Sequence, residues 1–235
     1  MITLVDKRID SSSLLNLNDQ VAELFLMPPA DYLQKGVSSH PDMLVFIGFG
    51  KLFCHKRYFE SNRELIESIA KSSGLEISLS DEETCEKYPF DVLFNAALVG
   101  KNLICNKKTV SRLILKAAED ADFNTIHVPQ GYTKCSTCIV SDNAIITADR
   151  SIYEACKCNC IDALLISEGH ISLPDYNYGF IGGASGTLGD KIYFCGDILT
   201  HPDGNKISEF CKKHGKSSIS LSHGELFDVG SILFI

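Results

Sequence analysis

The sequence predicts an α/β fold, a five-fold pseudosymmetric propeller built from strand–strand–helix–strand (ββαβ) units. Three observations predict it. A turn followed by a short apolar strand occurs four times, each copy precedes a helical pattern, and the two ends of the chain supply complementary halves of a fifth unit. Internal repetition of this kind is typical of repeat architectures, and it is the first property to establish in a sequence.

Each of the four internal turns contains Gly, Asn or Asp, the residues that permit the tight reversal of a β-hairpin. The strand after each turn is rich in β-branched or aromatic residues. The four turn-and-strand segments are 50–55, 100–106, 142–148 and 189–196. Because free cysteine behaves as a small hydrophobe, we expect Cys54, Cys105 and Cys195, which lie in these segments, to belong to the core.

A helical pattern follows each of these strands. In the second copy, Val110, Leu113, Ile114 and Ala117 fall on one face at helical spacing. The four predicted helices cover residues 60–73, 107–121, 151–160 and 204–214. Each helix leads into another short apolar strand, and these strands cover 75–79, 125–128, 163–166 and 218–221.

The two ends of the chain complement each other. Residues 225–235 have the pattern of a first strand without a second, whereas residues 2–5, 12–18 and 22–26 supply a strand, a helix and a strand. Pairing the ends completes a fifth unit and closes a ring, which hides sheet edges. We therefore expect a single domain over residues 1–235. An open α/β sandwich is the alternative, but it does not explain complementary ends.

Composition and charge exclude several classes of protein. The chain has 235 residues, a formal net charge of −8 and scattered basic residues, which argues against a nucleic-acid-binding surface. No apolar run reaches the roughly 18 residues that a membrane helix needs, and the first residues lack the layout of a signal peptide. Ten cysteines without such a signal indicate a reducing compartment. We therefore expect a cytoplasmic protein with no nucleic-acid and no membrane partner.

Two motifs and the five-unit ring carry a resemblance to a known fold family. Residues 130–136 read QGYTKCS and residues 178–186 read YGFIGGASG. The chain resembles the pentein superfamily, the α/β-propeller of guanidine-modifying enzymes, and the two motifs are similar to those of an uncharacterised clostridial branch. That superfamily includes amidinotransferases, arginine and agmatine deiminases, dimethylarginine hydrolases and the non-enzymatic translation initiation factor 6. As a repeat pattern, the resemblance covers the whole chain.

The resemblance implies a cysteine nucleophile in the final repeat and a histidine in a Gly-His-x-Asp-like motif near mid-chain. Residues 169–172 match the histidine motif at His170, with Ser172 where the acid would stand. No cysteine follows Cys211, so the usual nucleophile position is empty. This departure leaves open whether the chain is an enzyme.

The first strand of each unit lines the axis of such a ring, so its polar residues are candidates for a ligand site. Counted back from the turns, these residues are Asn95, Cys135 or Ser136, and Asp228. Burying such groups without partners costs of order 1–3 kcal/mol each, so we expect a small-molecule ligand or other partners near the axis. Asn95 and Asp228 are the predicted substrate anchors, and Ser136 and Tyr178 are further predicted binding residues.

Cys135 is the predicted nucleophile and His170 the predicted acid/base. Attack on a guanidinium carbon requires a thiolate, and a histidine that opens the next unit is placed to reach the axis. The alternatives are that Cys135 is one more buried strand cysteine and that His170 is a solvent-exposed loop residue. Nothing in the sequence singles out the other histidines, among them His40, His55, His127 and His214.

Three functions stay open. The first is a Cys-dependent hydrolase or transferase acting on a guanidino or amidino compound, and the second is a non-catalytic module that binds a ligand or a protein. The third, a zinc-stabilised structural protein, rests on Cys135, Cys138, Cys156, Cys158 and Cys160. On one strand Cys135 and Cys138 face opposite sides, and on a helix Cys158 points away from Cys156 and Cys160. We therefore predict no metal and no cofactor, and we leave a homodimer open.

Overall fold

Five sheets of three strands repeat one pattern around the molecule. The computed structural model describes residues 1–235. In every sheet a central strand pairs antiparallel with one neighbour and parallel with the other. In four of the five sheets the antiparallel neighbour comes directly before the central strand, and the parallel neighbour follows it after a helix.

The strands are numbered in chain order, and each sheet is written as the order of its three strands. In order of their central strands they are Leu233–Phe234, Ile2–Asp6 and Glu23–Met27 (β15-β1-β2); Val45–Gly48, Lys51–His55 and Glu76–Ser80 (β3-β4-β5); Ala97–Val99, Asn102–Cys105 and Asn124–His127 (β6-β7-β8); Cys138–Ser141, Ala144–Thr147 and Asp162–Leu165 (β9-β10-β11); and Ser185–Leu188, Lys191–Phe194 and Ser217–Ser220 (β12-β13-β14). The helices are Ser11–Asn18 (α1), Pro41–Leu44 (α2), Lys56–Ser61 (α3), Arg63–Ser73 (α4), Arg112–Asp120 (α5), Arg150–Cys158 (α6) and Gly204–Lys213 (α7). No helix is both long and apolar enough to cross a membrane.

The N- and C-terminal strands build the fifth sheet together. Leu4 of β1 pairs with Leu233 of β15, and Ile2 and Ile235 exchange two backbone hydrogen bonds of 2.9 and 3.0 Å. This pairing confirms the prediction that the two ends complete one unit and close the ring.

The first strands of the sheets lie innermost and contact one another around the axis. Strand β9 contacts both β6 and β12, and β12 contacts β15. The side chain of Leu98 in β6 reaches Gly48 in β3, and helix α2 contacts β1. Apolar cores fill the spaces between neighbouring sheets; one of them joins Phe53 of β4 to Leu103 of β7 and Ile114 of α5. Cys54, Cys105 and Cys195 are fully buried, as predicted.

Three predicted elements differ from the observed ones. The helix predicted over 60–73 is two helices, α3 and α4, with the backbone of Asn62 non-helical between them. The helix predicted over 107–121 begins only at Arg112, because Ser111 is its N-cap and accepts a hydrogen bond from the amide of Leu113. Of the segment 225–235, only residues 233–234 are strand, and the rest runs toward the axis as a loop.

Candidate functional site

Four polar side chains from four different repeats meet on the axis. Cys135 donates its thiol hydrogen to Asp42 Oδ2 at 3.2 Å, and Asn95 Nδ2 donates to Cys135 Sγ at 3.0 Å. Ser231 Oγ donates to the same Asp42 Oδ2 at 2.6 Å. All four side chains are buried, with Cys135 only 3% exposed. We call Asp42, Asn95, Cys135 and Ser231 the axial cluster.

Cys135 lies in a turn and not, as predicted, on a strand. The turn spans residues 133–136 and ends just before β9. Asn95 holds it there, because its Oδ1 accepts hydrogen bonds from the amides of Lys134 (2.7 Å) and Cys135 (3.2 Å). Asn95 Nδ2 also donates to the backbone oxygen of Asp42. The predicted substrate anchor Asn95 therefore uses its side-chain hydrogen bonds to position the thiol.

Ser231 supports the cluster from the last repeat with an uncommon backbone conformation. Its φ is 72°, in the left-handed region that side chains other than glycine rarely adopt. The conformation is held by the amide of Ser231, which donates to Gly183 O at 2.8 Å, and by the hydroxyl contact with Asp42. Backbone strain of this kind concentrates at functional sites.

A cavity of about 240 Å³ opens on one side of the axial cluster, and Cys135 lies in its wall. Two other predicted site residues, Asp228 and Tyr178, line it as well. The remaining lining residues are Val37, His40, Tyr132, Leu173, Tyr176, Asn177 and Phe180. We call this cavity the cysteine pocket.

Asp228 is held rigidly in the wall of the cysteine pocket. Its Oδ2 accepts a hydrogen bond from the amide of Phe180 (2.8 Å) and its Oδ1 one from the amide of Gly230 (2.9 Å). Burial raises the pKa of the Asp228 carboxyl above its usual value; nearby His40 opposes that shift and Asp42 adds to it. A cation bound beside Asp228 would stabilise its charged form.

His40 is a site residue that the sequence did not single out. Its ring is buried between two carboxylates, with Nδ1 3.8 Å from Asp228 Oδ1 and Nε2 3.7 Å from Asp6 Oδ2. Nδ1 has no hydrogen-bond partner. The available signal was the group of polar residues Ser39, His40 and Asp42 shortly before the first inner strand.

The thiol of Cys135 is held in its neutral form. Burial raises the pKa of Cys135 well above its usual value, and the charges of Asp42 and Asp228 raise it further, whereas the hydrogen bond from Asn95 opposes them. Because only the thiolate is strongly nucleophilic, the raised pKa lowers the reactivity of this cysteine near neutral pH. A cation in the pocket would act against both carboxylates and lower the thiol pKa.

Aromatic rings form much of the rest of the wall. The Tyr132 and Phe180 rings lie 6.1 Å apart, and the Tyr178 and Phe180 rings 6.2 Å apart. Two tyrosines are fixed by their hydroxyls: Tyr132 donates to Asp91 Oδ2 at 2.5 Å, and Tyr176 donates to Gln34 Oε1 at 2.8 Å. Aromatic faces and carboxylates in one cavity suit a cationic ligand.

The structure does not bring His170 or Ser136 to the cysteine pocket. His170 is exposed and packs against the His201 ring at 5.5 Å. The chain turns inward only after it, where Ser172 pairs with the backbone of Leu226 and Asp228, so the placement of His170 at the axis is wrong. Ser136 lies with Tyr178 in a separate cavity of about 80 Å³.

The cysteines of the zinc hypothesis lie apart. Cys135, Cys138 and Cys156 belong to three different apolar cores, and Cys158 and Cys160 are exposed. The intervening turn removes the strand geometry assumed for Cys135 and Cys138, yet the two thiols still enter different cores. No group of three or more His, Cys, Asp or Glu side chains is arranged to hold a metal ion.

Comparison with known sequences identifies one family. Residues 4–233 match the model of a family described as "Family of unknown function (DUF6873)". No curated protein sequence matches the chain.

Comparison with solved structures identifies the fold. Dimethylarginine dimethylaminohydrolase from Pseudomonas aeruginosa superposes with a TM-score of 0.59 at 10% identity, covering 93% of this chain and 91% of that one. Agmatine deiminase from C. jejuni gives 0.58 at 7% identity, with 94% and 87% covered. The amidinotransferase SxtG from Microseira wollei gives 0.54 at 9% identity, with 88% and 72% covered. The pentein fold expected from the repeat pattern is thereby confirmed.

Proposed function

Because the chain belongs to the DUF6873 family and has the pentein fold, we propose that its cysteine pocket binds a small guanidinium or amidinium compound and that Cys135 attacks the central carbon of that compound. One observation carries the proposal. The Cys135 thiol donates to the Asp42 carboxylate at 3.2 Å in the wall of an aromatic and acidic cavity.

The walls of the pocket favour a small cation. Asp228 is a buried carboxylate with two backbone donors, and Tyr132, Tyr178 and Phe180 offer aromatic faces. A planar guanidinium pairs with carboxylates through two parallel hydrogen bonds and stacks on aromatic rings. The cavity of about 240 Å³ is smaller than the roughly 300–1,000 Å³ of drug-sized sites, which favours a small metabolite.

A bound cation also supplies the activation that the free thiol lacks. It lowers the pKa of Cys135 by offsetting the charges of Asp42 and Asp228, and Asp42 Oδ2 already accepts the hydrogen that must leave. The thiolate then adds to the amidino carbon. Collapse of the adduct expels one nitrogen as an amine or ammonia, which takes up a proton, and His40 Nδ1 is the unpaired ring nitrogen placed to supply it.

The second half of the reaction restores the thiol. Water gives one proton to His40 Nδ1 and adds to the carbon of the S-linked intermediate. The carbon–sulfur bond then breaks, and a ureido product leaves while the thiolate regains its proton from Asp42. An amine in place of water would make the reaction a transfer. The Pseudomonas aeruginosa hydrolase, as a Cys-to-Ser mutant, has been solved in complex with citrulline, a ureido compound of this type. In this chain the proposed nucleophile Cys135 precedes β9. The final repeat does not supply one, because no cysteine follows Cys211.

A non-catalytic binding module is the second candidate. The observation that favours it is the burial of Cys135 beside Asp42 and Asp228, which raises the pKa of the thiol and favours its protonated form. In that case the same carboxylates and aromatic rings bind the cation, and no bond to sulfur forms.

One experiment separates the two candidates. The protein is incubated with arginine, methylated arginines and agmatine while ureido product and released amine are measured, and the unfolding temperature is followed with each compound. We expect turnover that falls on the order of 10³-fold or more in Cys135→Ala and is unchanged in Cys158→Ala, whose residue is exposed on α6 and does not line the pocket.

The remaining outcomes are equally informative. Stabilisation by a guanidino compound without turnover, retained in Cys135→Ala, supports the binding module. If no compound either stabilises the protein or is turned over, the result contradicts a guanidinium site in the cysteine pocket.

A further inference from the structure

A second cavity, of about 200 Å³, lies on the axis beyond the axial cluster. The inner strands of all five sheets line it, through Ile47 of β3, Leu98 of β6, Ile139 of β9, Thr187 of β12 and Phe234 of β15. The cysteine pocket, in contrast, is lined by the segments that precede those strands, and the two cavities share no lining residue. We call this second cavity the strand pocket.

Hydrophobic residues form most of the lining of the strand pocket, and its hydroxyl groups already donate to backbone oxygens. Thr187 Oγ1 donates to the backbone oxygen of Ile139, and Ser185 Oγ donates to that of Ile181. Ten of the fifteen lining residues are hydrophobic. A dry apolar cavity of about 150 Å³ is enough to hold benzene, so this one has room for an aromatic ring with a short substituent.

One cation, Lys134, lies at the polar end of this apolar cavity. Its Nζ donates to Ser231 Oγ at 2.8 Å and to Gly182 O at 3.5 Å. An ammonium group carries three N–H donors, and Lys134 forms no ion pair with any carboxylate in the chain. Lys134 is half-buried and lines the strand pocket, and its two contacts leave one N–H without a partner in the chain.

The one carboxylate in the same wall is Asp42, whose Oδ1 has no hydrogen-bond partner and whose Oδ2 faces the axial cluster. Asp42 Oδ2 accepts from Cys135 and Ser231, and the Ser231 hydroxyl stands between Asp42 and Lys134. A half-buried cation at the end of an apolar cavity favours an anion that brings its own apolar surface.

We propose that the strand pocket is a second ligand site, and that it binds a small apolar carboxylate whose charged end pairs with Lys134 and whose apolar body packs against Leu98, Ile139 and Phe234. The site does not depend on the chemistry proposed for Cys135. It differs from the cysteine pocket in its charged side chains, since Lys134 lines only the strand pocket and Asp228 only the cysteine pocket.

The test uses phenylacetate as the probe and phenylacetamide as its uncharged match. Binding is measured by calorimetry, and contacts are located by NMR between the probe ring and the methyl groups of Ile47, Leu98 and Ile139. We expect phenylacetate to bind with contacts to these methyl groups, and phenylacetamide to bind at least about tenfold more weakly.

Two variants test the two halves of the site. Lys134→Met keeps the length of the side chain without its charge, and we expect it to weaken phenylacetate about ten- to a hundredfold. Leu98→Trp fills the cavity and leaves Lys134 in place, and we expect it to abolish the methyl contacts. Equal binding of acid and amide, contacts in the cysteine pocket, or no binding at millimolar concentration would each overturn the proposal.

Discussion

Replacing Asp42 with asparagine is expected to accelerate alkylation of Cys135 by iodoacetamide about tenfold or more at pH 8. Asp42 raises the pKa of the Cys135 thiol both by its negative charge and as the acceptor of the thiol hydrogen. Asparagine keeps an acceptor oxygen and loses the charge, so the thiol pKa falls. While the pH lies below that pKa, each unit of decrease raises the thiolate fraction about tenfold.

The same protein contains the control for this prediction. Cys158 is exposed on α6, so its alkylation rate should be equal in the native protein and in Asp42→Asn. Rates are read at both cysteines by quenching and peptide mass spectrometry. An unchanged or slower reaction at Cys135 would show that Asp42 does not restrain the thiol.

Replacing Gly183 with alanine is expected to displace Asp228 and to destabilise the protein by about 3 kcal/mol or more. The added Cβ would overlap the Asp228 carboxylate. The backbone of Gly183 has no room to retreat, because its amide donates to Cys135 O (2.8 Å) and its oxygen accepts from the amides of Val229 and Ser231. Overpacking costs about 1–3 kcal/mol, and each lost hydrogen bond to Asp228 adds about 1–3 kcal/mol.

Gly224→Ala is the matched control for Gly183→Ala. An added Cβ at Gly224 meets no atom within 4 Å, and its backbone is outside the left-handed region. We expect its free energy of unfolding, measured by urea denaturation, to stay within about 0.5 kcal/mol of the native value. Equal stability of the two variants would contradict the close packing of Gly183 against Asp228.

The repeat pattern predicted the ring because each of the four internal units carries its own turn residues. Gly50, Gly100 and Gly189 each occupy positive φ at a hairpin turn, which is the backbone conformation that such turns require.

Helix boundaries were less predictable. Residues 107–111 have helix-compatible composition, but Ser111 caps the helix from outside and Glu82, from a distant loop, accepts the Ser111 hydroxyl hydrogen.

The site was predictable only in part, and the reason is loop length. Counting back from the turns indicated Asn95, Cys135 or Ser136, and Asp228. Asn95 and Cys135 lie two and three residues before their strands, which begin at Ala97 and Cys138. The count found no polar residue in the first repeat, the one that contains β3. Helix α2 precedes β3 in that repeat, so the axial residue there is Asp42.

The predicted position of the general acid/base was wrong for a related reason. His170 matches the family motif in sequence, but the backbone pairing of Ser172 with Leu226 and Asp228 brings the chain to the axis only after it. His40 occupies the pocket instead. Its position depends on contacts with Asp6 and Asp228, residues at opposite ends of the chain, which no local pattern reveals.

The central claim, that the cysteine pocket recognises a guanidinium-like cation and presents it to Cys135, is tested most directly by two alkylating agents of matched shape. Chloroacetamidine carries the amidinium charge and chloroacetamide does not, and the rates of both are compared at Cys135 and at Cys158 by peptide mass spectrometry. We expect the ratio of the two rates to be at least about tenfold larger at Cys135, and an arginine-like compound to protect Cys135 alone. The same ratio at both cysteines, without protection, would contradict the account.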